Sequence, residues 1–303
     1  MNKEAGRNLE IVSPQKTKNL LQKYQKRCNR SLGQNFLIDR DVLSTVISAA
    51  KIDSSQHVVE IGPGLGALTE AILQEIPNGR LLSVEKDEKL AEILQHELGD
   101  FIRLKIIKGD ALEIDWSEIL KEHNFAEKRY ILMANLPYYI TSPLIRIFLE
   151  NEYSPERMIL MVQKEVAERI TASPGGKDYG ILSIAVQYYC HPEIIDIVPP
   201  GCFYPEPEVE SAILRLDLSR GPNYEVENEA LFFDIVRAMF QQRRKMLRNS
   251  LSKAKEIDLD KKLVKSALEK AGIDERLRGE KLSLDRVVEL SNVLNKMLAG
   301  NGD

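Results

Sequence analysis

Cysteine and histidine are scarce in this 303-residue chain, at three and four residues. Cys28, Cys190 and Cys202 are odd in number and form no C-x-x-C pair. Neither a disulfide framework nor a zinc site is therefore expected. With no secretory leader at the start, the thiols read as reduced and the chain as cytoplasmic. Long apolar runs are missing as well: stretches such as Tyr130–Ala134 and Ile181–Val186 are far too short to span a bilayer. No Ser-His-Asp, Cys-His or metal-ligand cluster is present to support nucleophilic or metal-assisted chemistry. A basic excess is absent too, since the formal net charge is −4.

What is present is the composition of a soluble globular protein, 43% apolar and 29% charged. The length suits one large domain or two ordinary ones. Charge is unevenly placed. The first thirty residues carry Lys3, Arg7, Lys16, Lys18, Lys23, Lys26, Arg27 and Arg30 against Glu4 and Glu10. Arg237, Arg243, Arg244, Lys245, Arg248, Lys253 and Lys255 form a second run without an acid, while acids collect from Glu85 to Glu97. Basic patches on an acidic body suit a polyanion partner, because attraction to phosphate is local at physiological ionic strength. Charge alone leaves the alternative of two solvated helix faces open.

Apolar patterning predicts strands at His57–Ile61, Leu81–Glu85, Leu104–Lys108, Tyr130–Ala134 and Arg157–Val162. Helices are predicted at 41–50, 68–76, 89–98, 116–123, 143–150 and 164–170. This alternation implies an α/β fold, a doubly wound, mostly parallel, Rossmann-like sheet. Tyr179–Tyr189 and Ala212–Leu218 read as further strands, separated by a proline-rich loop, Pro199–Pro207. After Gly221-Pro222 only helices are expected, at 229–252, 261–271 and 283–298. The expected organisation is a basic arm over 1–30, an α/β domain over 31–221 and a smaller all-helical domain over 222–303.

The segment Val59-Glu-Ile-Gly62-Pro-Gly64-Leu-Gly66 puts three glycines after the first strand of the alternation, where a sharp turn lets backbone lie against a ligand. Glu85 ends the next strand and can accept both hydroxyls of a ribose; Asp110 ends the third and can hold an adenine amine. These groups meet at the carboxyl edge of the sheet. They suit an adenosine-containing cofactor, a nicotinamide or flavin dinucleotide included.

Directly after the fourth strand comes Asn135-Leu-Pro137-Tyr138. An asparagine oxygen and a backbone carbonyl beside a stiffening proline can both accept from one amino group, and Tyr138 offers a face for a base to stack on. An adenine amine is a poor nucleophile because its lone pair is delocalised; two acceptors on its protons localise that pair. Positioning and oriented dipoles can then supply most of the acceleration. Phe203, or Tyr204 beside it, is the expected second wall for a base drawn out of its stack.

At these residues the sequence resembles the ribosomal RNA adenine dimethyltransferase family. The resemblance rests on Ser31-Leu-Gly-Gln-Asn-Phe-Leu-Ile-Asp39, Glu60–Gly66, Asn135–Tyr138 and Phe203-Tyr-Pro-Glu-Pro207 followed by Val209 and Ser211, and runs from about residue 30 to the C-terminus. It implies that Asn35, Leu37, Gly62, Gly64, Glu85, Asp110 and Asn135 contact S-adenosylmethionine, and that Asn135, Pro137, Tyr138 and Phe203 handle the adenine. Tyr179-Gly-Ile-Leu-Ser183 and Arg278-Gly-Glu-Lys-Leu-Ser283 are similar to the small-subunit branch, with departures at Gly279 and Lys281. That branch implies dimethylation of two adjacent adenosines near the 3′ end of 16S rRNA, within the small subunit or its precursor; separately, the chain is expected to be monomeric, with neither metal nor membrane. Arg243, Arg244, Lys245 and Arg248 are expected to hold RNA backbone from more than one face of a helix. The alternatives are the 23S rRNA branch of macrolide-resistance type, a DNA adenine methyltransferase, and a non-catalytic binding factor on the same fold.

Overall fold

A computed structural model describes residues 13–29, 33–126, 129–219, 224–242, 245–254, 257 and 259–299. The chain divides into two compact units, residues 1–167 with 193–219 and residues 168–192 with 220–303.

The first unit opens with α1 (Pro14–Lys23), β1 (Phe36–Leu37) and α2 (Arg40–Ala50). An alternation follows: β2 (His57–Ile61), α3 (Ala67–Glu75), β3 (Arg80–Glu85), α4 (Glu88–Leu98), β4 (Leu104–Lys108), α5 (Trp116–Glu122), β5 (Tyr130–Asn135), α6 (Thr141–Leu149), β6 (Arg157–Gln163) and α7 (Lys164–Ile170). After α8 (Ile181–Tyr189) the chain returns through β7 (His191–Val198), β8 (Phe203–Tyr204) and β9 (Ser211–Asp217). Aspartates start three of these helices: Asp39, Asp87 and Asp115 accept from N–H groups of the first turns of α2, α4 and α5.

Seven strands form one sheet in the order β4-β3-β2-β5-β6-β9-β7. β4, β3, β2, β5 and β6 run parallel, and β9 is antiparallel to β6. β2 and β5 are buried on both faces, as a parallel sheet covered by helices requires. The chain builds outward from β2 to β4, then jumps back to place β5 on the other side of β2. The crevice at this switch point lies beyond the carboxyl ends of β2 and β5.

The doubly wound fold is the one the alternation predicts, and three details differ from it. Tyr179–Tyr189 is not a strand. Ser183 accepts the Gly180 N–H at 3.0 Å and so starts α8, whose Ile184 and Tyr188 are buried one turn apart. Residues 168–192 join the second unit, because Tyr179, Ile184 and Tyr188 pack into its core. β7 is a sheet-edge strand that Pro192, Glu193 and Asp196 disguise, since a proline and two acids interrupt its apolar alternation.

The second unit contains α8 and α9 (Glu229–Gln241), α10 (Leu247–Leu251), α11 (Lys261–Lys270) and α12 (Leu284–Ala299). The single helix expected over 229–252 is broken after Gln241. The Leu247 N–H is taken by the Leu277 carbonyl at 2.6 Å, which holds the start of α10 against the segment before α12. Tyr179 donates its hydroxyl to the Leu282 carbonyl at 3.0 Å, so the segments Tyr179–Ser183 and Arg278–Ser283 meet in this unit. Gly279 has a packing reason as well: a Cβ there would lie 2.8 Å from the Met239 carbonyl oxygen.

Glu60 in β2 is fully buried and fastens the glycine turn from behind. Its Oε2 accepts from Thr69 of α3 and Ser83 of β3, both at 2.8 Å, while Oε1 has no partner among the described residues. Burial pushes its carboxyl up to about 7, outweighing the two hydroxyl bonds, and the nearby Glu85 adds to the rise. A folded-state value above the ordinary 4.5 of a glutamate means the folded protein holds the proton more tightly. Stability should therefore fall as pH rises from about 4.5 to about 7, by at most on the order of 3 kcal/mol. Glu60→Gln should lessen that fall and be the more stable protein at about pH 8. Urea unfolding of both proteins at about pH 5 and about pH 8 checks this; parallel pH profiles would refute it.

Candidate active site

The turn after β2 is held by its own backbone. Gly62 (φ +67°) donates to the Val84 carbonyl at 2.9 Å, and Gly64 (φ +58°) donates to Glu85 Oε2 at 3.0 Å. Both φ values belong to the left-handed region that glycine adopts without penalty. A Cβ on Gly64 would stand 3.1 Å from the Phe36 ring, whereas one on Gly62 would find only the Asn135 carbonyl oxygen, at 3.9 Å. Open space thus lies in front of Gly62, where a ligand can approach the backbone.

Glu85 ends β3 with its other oxygen accepting the Asp87 N–H at 2.8 Å. Burial raises its carboxyl above the ordinary range, and the two backbone donors partly offset this. Asp110 accepts from the Leu112 N–H at 3.0 Å and pairs with the Lys86 ammonium at 2.5 Å. Burial opposes its charge, but Lys86 and the Leu112 N–H outweigh it and hold the carboxyl below its usual range.

Register sets Ile61 beside Ala134, so Gly62 and Asn135 leave their strands side by side. Asn135 Nδ2 donates to the Asn35 carbonyl at 3.0 Å. A carbonyl can only accept, which fixes the amide nitrogen toward Asn35 and turns Oδ1 away as an acceptor. Asn35 itself donates to the Gly33 carbonyl at 3.3 Å. Pro137 leads into a 3-10 turn at Tyr138–Ile140, closed by the Ile140 N–H on the Pro137 carbonyl. The half-buried Tyr138 ring is tethered through its hydroxyl to Ser211 Oγ at 3.2 Å.

Leu37 and Phe203 face each other in the two-stranded β1–β8 ladder, which Ile38 N–H extends onto the Cys202 carbonyl. Asn35, Leu37, Gly62, Gly64, Glu85, Asp110, Asn135, Pro137, Tyr138 and Phe203 all border one cavity. Phe203 is only 2% exposed and belongs to the core behind that wall, so stacking a base on it requires the loop to shift. Tyr204 beside it is half-buried, with the Lys18 ammonium 5.4 Å from its ring centre. These groups fit an adenosine ligand bearing a side chain. Glu85 suits paired hydroxyls, Asp110 suits a ring amine, and the space before Gly62 leads on to Asn135.

Lys16, Thr17 and Leu20 of α1 also border the cavity, which the reading of 1–30 as a separate arm missed. The signal was present in Ser13-Pro14: the Ser13 hydroxyl caps α1 by accepting the Lys16 N–H at 3.1 Å, and proline suits the first helical position. Leu21 then packs with Phe36, Leu90 and Ile93, and Lys26 pairs with Asp87.

Of the residues expected to hold RNA backbone, Lys245 and Arg248 fall among the described ones. Arg243 and Arg244 lie outside the described residues. Lys245 sits between α9 and α10, and Arg248 in α10 pairs with Glu275 at 2.8 Å. Among the described residues no group of three His, Cys, Asp or Glu side chains could hold a metal ion. No helix among them is long and apolar enough to cross a membrane.

Comparison with known proteins bears on this arrangement. The ribosomal RNA adenine dimethylase family matches residues 25–296. A ribosomal RNA small subunit methyltransferase A of Halothermothrix orenii is 44% identical over 284 residues, 94% of each chain. Its namesake in Clostridium perfringens is 46% identical over 283 residues, 93% of this chain and 96% of that one. Among solved structures, a dimethyladenosine transferase from Plasmodium falciparum superposes with a TM-score of 0.72 at 26% identity, covering 86% of this chain and 98% of that chain. The 23S rRNA methyltransferase ErmE shares the fold, with a TM-score of 0.66 at 24% identity over 86% of this chain and all of its own. By both the extent of the family match and the identity to these relatives, the chain belongs to the ribosomal RNA adenine dimethylase family.

Proposed function

We propose that this protein, acting as a monomer, dimethylates the exocyclic amines of two adjacent adenosines near the 3′ end of 16S rRNA during small-subunit assembly, with S-adenosylmethionine as donor. The observation that carries this reading is the fixed Asn135 amide, its oxygen free to accept beside the open space at Gly62. The small-subunit relatives at 44% and 46% identity favour this branch over the 23S branch.

When bound, the donor supplies an electrophilic methyl group on a sulfonium centre. Glu85 would hold its ribose, Asp110 its adenine amine, and the Gly62–Gly64 backbone would lie against it. Asn135 Oδ1 and the Leu136 carbonyl would accept hydrogen bonds from the two N–H groups of the target amine, which favours a pyramidal nitrogen and aims its lone pair. Pro137 stiffens the backbone so that the two acceptors converge. Tyr138, tethered by Ser211, supplies the stacking face. Methylation would pass the donor's positive charge to the amine nitrogen, which sheds it by losing a proton to water, so no nucleophilic side chain is needed and oriented dipoles carry the acceleration.

Asn135→Ala should lower methyl transfer by about a hundredfold or more while leaving RNA affinity intact. Labelled methyl transfer to unmethylated small subunits, large-subunit RNA and duplex DNA tests both residue and branch. Label on adjacent small-subunit adenosines supports the reading, and label on large-subunit RNA overturns the branch. Full turnover by Asn135→Ala would refute its role.

The basic segment of the second unit is assigned to RNA backbone. Replacing Arg243, Arg244, Lys245 and Arg248 together by alanine should weaken RNA binding and lower its salt slope by up to about 3. Binding isotherms at several salt concentrations check this; unchanged affinity and slope would sink it.

A further inference from the structure

Two lysines border the cavity among the described residues, Lys86 and Lys16. Lys86 is committed to Asp110, at the end assigned to the adenine ring. Lys16 stands elsewhere. It reaches from α1 to Glu70 in the first turn of α3, meeting both carboxylate oxygens at 3.2 Å. Its side chain remains 34% exposed while that of Glu70 is 10% exposed. The carboxylate thus positions the ammonium from the buried side, and the lysine keeps donor capacity on its exposed side while bordering the cavity.

The proposed cofactor has a matching need. Its ring lies at Asp110, its ribose at Glu85, and its sulfonium must reach Asn135. Placed so, the amino-acid tail would run on past Gly62. That tail ends in a carboxylate, which is costly to enclose without a cationic partner. Among the described residues that border the cavity, Lys16 is the cation left to meet it.

We propose that Lys16 binds the carboxylate of the cofactor's amino-acid tail, with Glu70 as its positioning residue. This rests on the cofactor reading above. It makes α1 part of the binding site, and the anchoring of α1 by Leu21 and by Lys26–Asp87 gives the ammonium a fixed base. It also gives the site a way to tell an intact amino-acid tail from a truncated one, since a ligand without the carboxylate forfeits the contact.

The test is calorimetric titration of the full-length protein with S-adenosylhomocysteine and with 5′-methylthioadenosine, which shares the nucleoside but lacks the amino-acid end. Lys16→Met should weaken S-adenosylhomocysteine by about tenfold and leave 5′-methylthioadenosine unchanged, and Lys16→Arg should retain most of the affinity. Undiminished binding of S-adenosylhomocysteine by Lys16→Met overturns the proposal. So does an equal loss for both ligands, which would mean that the substitution had merely loosened α1. A wild-type protein that binds neither ligand refutes the cofactor reading itself.

Discussion

The side-chain amide of Asn135 has ends of opposite character, and the Asn35 carbonyl can satisfy only the nitrogen. That bond spans a hundred residues of sequence and decides which way the acceptor at the end of β5 faces. Much of the first unit can be understood as keeping it in place. β5 is buried among its neighbours, so the Asn135 backbone is fixed by the sheet. Asn35 is fixed by the strand that follows it, since Phe36 and Leu37 pair with Tyr204 and Phe203. Gln34, on its other side, donates to Asp87 at the start of α4.

The site is therefore assembled from segments far apart in the chain, each fixed by a different kind of bond. The glycine turn is held by the sheet and by Glu60 behind it, and Tyr138 by a hydroxyl contact with Ser211. α1 is held by apolar packing and ion pairs. Rigidity of this sort suits a reaction in which the protein donates no electrons or protons of its own and contributes mainly orientation.

The parallel sheet was legible because β2, β3 and β5 are short apolar runs closed by Gly62, Glu85 and Asn135, and those closing residues border the cavity. Tyr179–Tyr189 was misread because its β-branched and aromatic residues favour a strand, while the feature that decides for a helix is one serine hydroxyl on the Gly180 N–H. The break after Gln241 has no proline or glycine to announce it; it depends on a carbonyl at Leu277, distant in sequence. α1 hid in a segment whose basic charge drew attention away from its Ser-Pro start. Side-chain pairings such as Lys86–Asp110 and Tyr138–Ser211 join residues on different elements and leave no local trace.

The excursion of residues 168–192 into the helical unit has a consequence for how the protein comes into being. Tyr179, Ile184 and Tyr188 leave the ribosome long before Phe232, Leu268 or Leu290, which belong to the same core. β7 and β9, which complete the sheet, are made in the interval. The first unit can thus close while the first piece of the second is still waiting, its apolar side chains uncovered, for partners from the end of the chain. A nascent chain with such a gap is open to wrong association for as long as synthesis of those helices takes.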